Sequence, residues 1–147
     1  MDCRGYWLVM LALATMLTVP PAWAAPLDVA AKENNVATVK RLIADGAKVN
    51  QKGKDGLTAL HWAAYNGNAI LAELLIAKGA KLDLQANNGY TPLHWAAVRG
   101  NKAVAELLIR NGSDVNARDA FGNTPLSWAR LTGHNEVAQL LQSSGAQ

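Results

Sequence analysis

The residues with the means for acid–base or metal chemistry are His61, His94, Ser127 and a scatter of aspartates. A base beside a nucleophile, or two imidazoles on one zinc, is the chemistry such residues could perform. His61 and His94 hold the same place in the near-identical stretches LTALHWAA and YTPLHWAA, and Ser127 takes it in NTPLSWAR. Equivalent positions in successive repeats put the two imidazoles about one helix-packing step apart, roughly 8–10 Å. Two ligands of one zinc each sit only about 2 Å from the metal, so the spacing argues against a shared site. Nothing local to Ser127 would activate a nucleophile, and His134 follows Gly133 in a turn, where an exposed imidazole is ordinary. A calcium loop needs several oxygen ligands at close spacing, which the sequence does not offer. The expectation is no catalytic residue, no metal and no cofactor, with His61 and His94 hydrogen-bonding inside the repeat turn.

The elements that must position these residues are paired short helices. Thr91 is placed as an N-cap whose hydroxyl can accept an amide hydrogen bond, and Pro92 takes the first helical position, where no N–H is missed. His94, three residues past the cap, can return a hydrogen bond toward Thr91 as in a capping box. Leu93 and Trp95 supply apolar bulk, Ala96 and Ala97 let a neighbouring helix approach, and Gly100 ends the helix in a left-handed turn. Asn101 is the expected N-cap of a second helix, on which Val104, Leu107 and Leu108 share a face, and Gly112 closes it. Gly67, Gly100 and Gly133 end first helices, and Gly46, Gly79, Gly112 and Gly145 end second ones, both series in the same equal steps. The fixed period, about 33 residues, marks a stacked solenoid. Trp62, Trp95 and Trp128 share one register and are expected in the core, where burying some 200 Å² of ring contributes roughly 5 kcal/mol as an upper figure; the alternative is a partly exposed aromatic stripe. Asp55-Gly56 and Asn87-Asn88-Gly89 are turn chemistry suited to hairpin tips.

The stretches DGLTALHWAA, NGYTPLHWAA and FGNTPLSWAR resemble the ankyrin repeat, whose signature is T-P-L-H-x-A in a helix-turn-helix module of about 33 residues. The resemblance implies an all-α solenoid of four stacked repeats with short hairpin-like loops, at about 26–50, 51–83, 84–116 and 117–147. Repeat one lacks the signature, and its helices are expected at Leu27–Glu33 and Val36–Ala44, with Ala30 and Ala31 in the places of Ala63 and Ala64. A terminal repeat is atypical because one side meets water. Repeat two exchanges the proline for Ala59, a good helix former. Repeat four carries Ser127 and Arg130 where the histidine and second alanine stood, which reads as a solvated cap, since a charge between packed helices is costly.

In the family that this chain resembles, partners bind along the concave face made by hairpin tips and the exposed side of first helices. That implies contacts from Lys54, Asp55, Leu57, Tyr65 and Asn66 in repeat two, and from Asn87, Asn88, Tyr90, Val98 and Arg99 in repeat three. In repeat four the matching positions are Ala120, Phe121, Asn123, Leu131 and Thr132. Tyr65, Tyr90, Arg99 and Phe121 are the expected anchors, because aromatic residues and arginine dominate interface energies. Phe121 is the sharpest case, a large apolar side chain at a turn tip.

Residues 1–24 differ in kind from the rest. Leu8 to Val19 is almost entirely apolar and leads to Ala22-Trp23-Ala24, the A-x-A pattern of a secretory signal peptide cleaved before Ala25. An apolar run of a dozen residues is too short to span a bilayer comfortably. The single cysteine, Cys3, precedes that run, so the mature chain, residues 25–147, has neither disulfides nor a cysteine metal site. It carries 13 basic and 10 acidic residues, spread without a long basic block, which gives no ground for nucleic acid or an anionic membrane as partner. The expectation is a periplasmic or secreted, monomeric, non-catalytic module that binds a protein. The alternative is an accessory, inhibitor or immunity protein for an exported enzyme or toxin, in which the partner supplies the chemistry.

Overall fold

A computed structural model describes residues 26–147, and their regular structure is entirely helical. The expected signal peptide, with Cys3, lies outside the described residues. Repeat one contributes α1 (Leu27–Lys32) and α2 (Val36–Ala44), and repeat two contributes α3 (Ala59–Asn66) and α4 (Ala69–Ala77). Repeat three holds α5 (Pro92–Arg99) and α6 (Lys102–Arg110), and repeat four α7 (Pro125–Leu131) and α8 (Asn135–Ser143). Helix α1 ends one residue before the expected Glu33, which is its C-cap.

Each first helix of repeats two to four starts where its threonine leaves extended backbone. Thr91 has φ −89° and ψ 167°, its Oγ1 accepts from the His94 N–H at 3.4 Å, and its own N–H donates to His94 Nδ1 at 3.1 Å. Two of the orphan amides of the first turn are thereby satisfied. Gly100 stops α5 at φ 69°, and with no Cβ it leaves room for the His134 ring of the next repeat. Gly89, at φ 78°, has a second reason to be glycine: a Cβ there would strike the Asp119–Ala120 backbone.

Helices α1, α3, α5 and α7 stack in one row, and the second helix of each repeat packs behind the first. Close approach in the row depends on small residues, and Ala31, Ala63, Ala64, Ala96, Ala97 and Ala129 are all fully buried. Behind them Leu42, Leu75, Leu108 and Leu141, one from each repeat at the same register, are also fully buried and form one continuous apolar interior with Val39, Leu71, Val104 and Val137. This interior supplies most of the stability, because the ion pair Lys102–Glu136 spans 3.9 Å in water and such pairs contribute at most about 1 kcal/mol. Ser127 and Arg130 both face solvent on α7.

Candidate functional site

The site is built from the tips that precede each first helix and from the outward side of those helices. Each tip is a closed turn: the Gly53 N–H donates to the Leu57 carbonyl at 2.8 Å, Ala86 to Tyr90 at 2.9 Å and Asp119 to Asn123 at 3.0 Å. Neighbouring tips are also joined. The Asn87 N–H donates to the Asp55 carbonyl at 3.1 Å, and the Ala120 N–H to that of Asn88 at 3.1 Å.

The two buried histidines lock this array. Thr58 N–H donates to His61 Nδ1 at 3.0 Å, which fixes the tautomer and leaves Nε2–H to donate to the Tyr90 carbonyl in the next repeat at 3.0 Å. His94 repeats the arrangement, with Nδ1 accepting from Thr91 and Nε2–H donating to the Asn123 carbonyl at 3.0 Å. Burial pushes the His61 pKa down to about 4, and burial also lowers that of His94, so both rings are neutral at pH 7. Each ring bonds to a different carbonyl, and among the described residues no three His, Cys, Asp or Glu side chains are grouped to hold a metal.

A second set of ties lies at the other end of the first helices. Asn101 occupies the N-cap position of α6, but its side chain does not cap; its Nδ2 donates to the Ala64 and Tyr65 carbonyls at 2.7 and 3.2 Å. The preceding repeat's helix end carries orphan carbonyls, and the Asn101 amide satisfies two of them. His134, one period later, donates from Nε2 to the Val98 carbonyl at 3.0 Å in the same way, so it is a tie between repeats and not an ordinary exposed turn residue.

Between tips and helices runs a row of rings. The three tryptophans are half-buried, not sealed in the core, because their register faces the tips and not the second helices. Ring centroids are 5.7 Å apart for Trp62–Tyr65, 5.3 Å for Tyr65–Trp95, 5.0 Å for Tyr90–Trp95 and 5.6 Å for Tyr90–Trp128. These are edge-on and tilted spacings at which aromatic pairs attract. Lys32 Nζ lies 5.2 Å from the Trp62 ring, and the Arg99 guanidinium lies 4.6 Å from that of Tyr65. A cleft of about 410 Å³ opens beside this row, between the tips of repeats two and three and the rings of Trp62, Tyr65 and Trp95.

Asp55, Leu57, Tyr65, Asn87 and Asn88 meet in that cleft, with exposed Lys54 beside them and Arg99 over Tyr65. Tyr90 is only 9% exposed, stacked on His94 at 5.5 Å, which leaves little of its ring for a partner. Asn66 is exposed, but its Nδ2 donates to the Ala31 and Lys32 carbonyls. Val98 and Asn123 are half-buried and lend carbonyls to His134 and His94, while the Thr132 hydroxyl donates to the Trp128 carbonyl at 2.7 Å. Ala120, Phe121 and Leu131 are exposed, Phe121 at 78% and Leu131 at 75%.

One residue of the site carries no signal in the repeat signature. Asp119 is buried, accepts from Trp128 Nε1 at 2.7 Å through Oδ2, and accepts from the Phe121 and Asn123 amides through Oδ1, each at 2.9 Å. Burial works to raise its pKa, but the bonds from Trp128 and the two amides outweigh it and hold the carboxyl below its ordinary value. Its signal would have been the change of residue at one register position, Gly53, Ala86 and Asp119.

The arrangement has the parts of a binding surface: a row of rings in contact and tips joined to one another by backbone hydrogen bonds. Residues 27–119 match the family model described as ankyrin repeats (3 copies), and residues 121–147 match that of the ankyrin repeat. This chain belongs to the ankyrin repeat family. Ankyrin repeats are protein–protein interaction modules. Among curated proteins, the chain is 55% identical over 42 residues to the palmitoyltransferase AKR1 of Yarrowia lipolytica and 58% identical over 43 residues to the transient receptor potential cation channel subfamily V member 6 of Rattus norvegicus. These matches span 28% and 29% of this chain and 6% of each relative, so the likeness is one of ankyrin repeats and not of whole proteins.

Proposed function

We propose that this ankyrin repeat protein is an exported, non-catalytic module that holds a protein partner in the cleft between its tips and first helices. The observation that carries the reading is the run of rings Trp62, Tyr65 and Trp95, which lines the cleft across repeats two and three at 5.3–5.7 Å spacings. Aromatic rings already fixed in place lose little freedom on binding, and that is how such a surface acquires affinity. The bonds Asn87–Asp55, Ala120–Asn88 and His61–Tyr90 hold the tips in one array, so contacts from several repeats engage together. Export rests on the leader, residues 1–24, with its apolar run and its Ala22-Trp23-Ala24 cleavage pattern.

Affinity capture from the native compartment with the wild-type chain and with Tyr65→Ala/Arg99→Ala tests the surface. The double variant removes the stacked pair beside the cleft and leaves the interior untouched. The expected result is loss of a protein that the wild type retains, with a fall in stability of about 1–3 kcal/mol from the lost ring contacts and the domain still folded. Equal recovery by both forms would place the binding surface elsewhere.

A further inference from the structure

The indole N–H of Trp95 is a buried side-chain donor with no hydrogen-bond partner. Its counterpart in repeat four shows what is missing. Trp128 Nε1 donates to Asp119 Oδ2 at 2.7 Å, and one repeat earlier the place of Asp119 is taken by Ala86. A methyl group therefore stands where the register would put a carboxylate. Ala86 and Trp95 both line the 410 Å³ cleft, so a side chain seated there lies against the indole and reaches Nε1 by displacing the contacts that cover it. A buried donor without an acceptor is unfavourable and uncommon, and a partner side chain that displaces its cover can supply the acceptor.

The charge around the cleft fixes the kind of acceptor. Lys32 lies over Trp62 and Arg99 over Tyr65, at the two rings that flank Trp95's side of the row. The Lys52 ammonium donates to the Gln85 carbonyl at 2.7 Å, which holds it across the junction of repeats two and three, and exposed Lys54 stands at the tip. Asp55 lies in the lining itself, and the Asp28 carboxylate packs against Gly53 on the same tip. Around the cleft, four cations thus face two carboxylates, Asp55 and Asp28, a balance that favours an anion over a cation.

We propose that the cleft between repeats two and three takes an aspartate or glutamate side chain of the protein partner, whose carboxylate accepts from Trp95 Nε1 as Asp119 does from Trp128. This rests on the tip-and-helix face being the binding surface, and it adds the chemistry of the residue that enters. An apolar or amide side chain of similar size would fill the volume without matching the charge.

The test is a titration of the ¹⁵N-labelled full chain with heptapeptides of alanine and serine, acetylated and amidated at their ends, that carry a central Glu, Asp, Gln or Asn. A further peptide has no acidic side chain and a free C-terminal carboxylate. The readout is the Trp95 indole N–H resonance, identified by its loss in Trp95→Phe. The expected result is a downfield shift with the Glu or Asp peptide and binding about tenfold tighter than for its amide twin, the scale of one charge-assisted hydrogen bond. Ala86→Asp should raise the unfolding midpoint by satisfying the indole internally, and should abolish the preference for the acidic peptide. Equal binding of acid and amide peptides, with shifts at Trp62 and Trp95, overturns the carboxylate site while leaving the binding face in place. A response to the C-terminal carboxylate alone overturns the side-chain assignment. No shift with any peptide at millimolar concentration, or no gain in midpoint for Ala86→Asp, also overturns it, and partner capture by the Tyr65→Ala/Arg99→Ala pair then judges the face separately.

Discussion

His61 Nε2–H donates to the Tyr90 carbonyl oxygen at 3.0 Å, so the imidazole that closes the start of one repeat also fastens the tip of the next. The bond requires a neutral ring whose Nδ1 accepts from the Thr58 N–H. Protonating Nδ1 would set a donor against a donor inside the fold.

Acid should therefore loosen the stack. The His61 pKa is pushed from 6.5 to about 4 in the folded chain, so the unfolded chain takes up its proton first as pH falls. Stability is full above pH 6.5 and declines down to about pH 4, by on the order of 3 kcal/mol for this residue. His94 moves in the same direction for the same reason. Urea unfolding between pH 7.5 and 4 checks this, and His61→Gln/His94→Gln should show a flatter profile.

The Asp119 carboxylate should be worth more to repeat four than any exposed charge. It accepts from Trp128 Nε1 and from two backbone amides, so Asp119→Ala should cost roughly 2–4 kcal/mol by leaving these donors unpaired. Because its folded pKa is lowered, this contribution is present above the ordinary carboxyl value of 3.8 and is lost as pH falls through the lower folded value. Thermal unfolding of the variant at pH 7 and at pH 3 measures both statements.

Tyr90 and Phe121 should part company when truncated. Tyr90 is 9% exposed between Trp95 and Trp128, so Tyr90→Ala should cost about 3 kcal/mol as a large-to-small change in a packed site. Phe121 is 78% exposed, and Phe121→Ser should change stability by less than about 0.5 kcal/mol. Equal costs in denaturant unfolding would mean that the two rings share one environment.

The interior should tolerate loss least. Leu108 is fully buried between repeats, and Leu108→Ala should cost about 2–5 kcal/mol and lower the midpoint of the whole domain, since neighbouring repeats share one apolar interior. A separate early transition confined to repeat three would contradict that continuity.

The leader makes its own prediction. Intact-mass analysis of the chain recovered from outside the cytoplasm should give an N-terminus at Ala25. Recovery from the cytoplasm with Met1 in place would remove the export reading.

The fold was legible because its determinants are local: threonine starts the first helix in repeats two to four, and glycine after the second helix and alanine where helices meet recur in all four. Side chains whose partners lie in the next repeat were not legible in the same way. Asn101 looks like an N-cap in one dimension and ties to Ala64 in three. The tryptophans read as core by size, yet their register turns them toward the tips. Asp119 falls outside the signature, and only its distance from Trp128 reveals what it does. Binding residues were placed by resemblance, and the structure separates those that meet in the cleft, such as Tyr65 and Asn87, from Asn66 and Thr132, whose side chains serve the repeat itself.

If bonds between repeats hold one continuous tip-and-helix face for a partner, that face must respond to binding as a unit. Amide hydrogen exchange of the full chain, free and bound to the protein it captures, is the sharpest check. Added protection is expected at residues 54–57 and 87–90 and along α3 and α5, with α4 and α6 unchanged. Protection confined to α4 and α6 would contradict it.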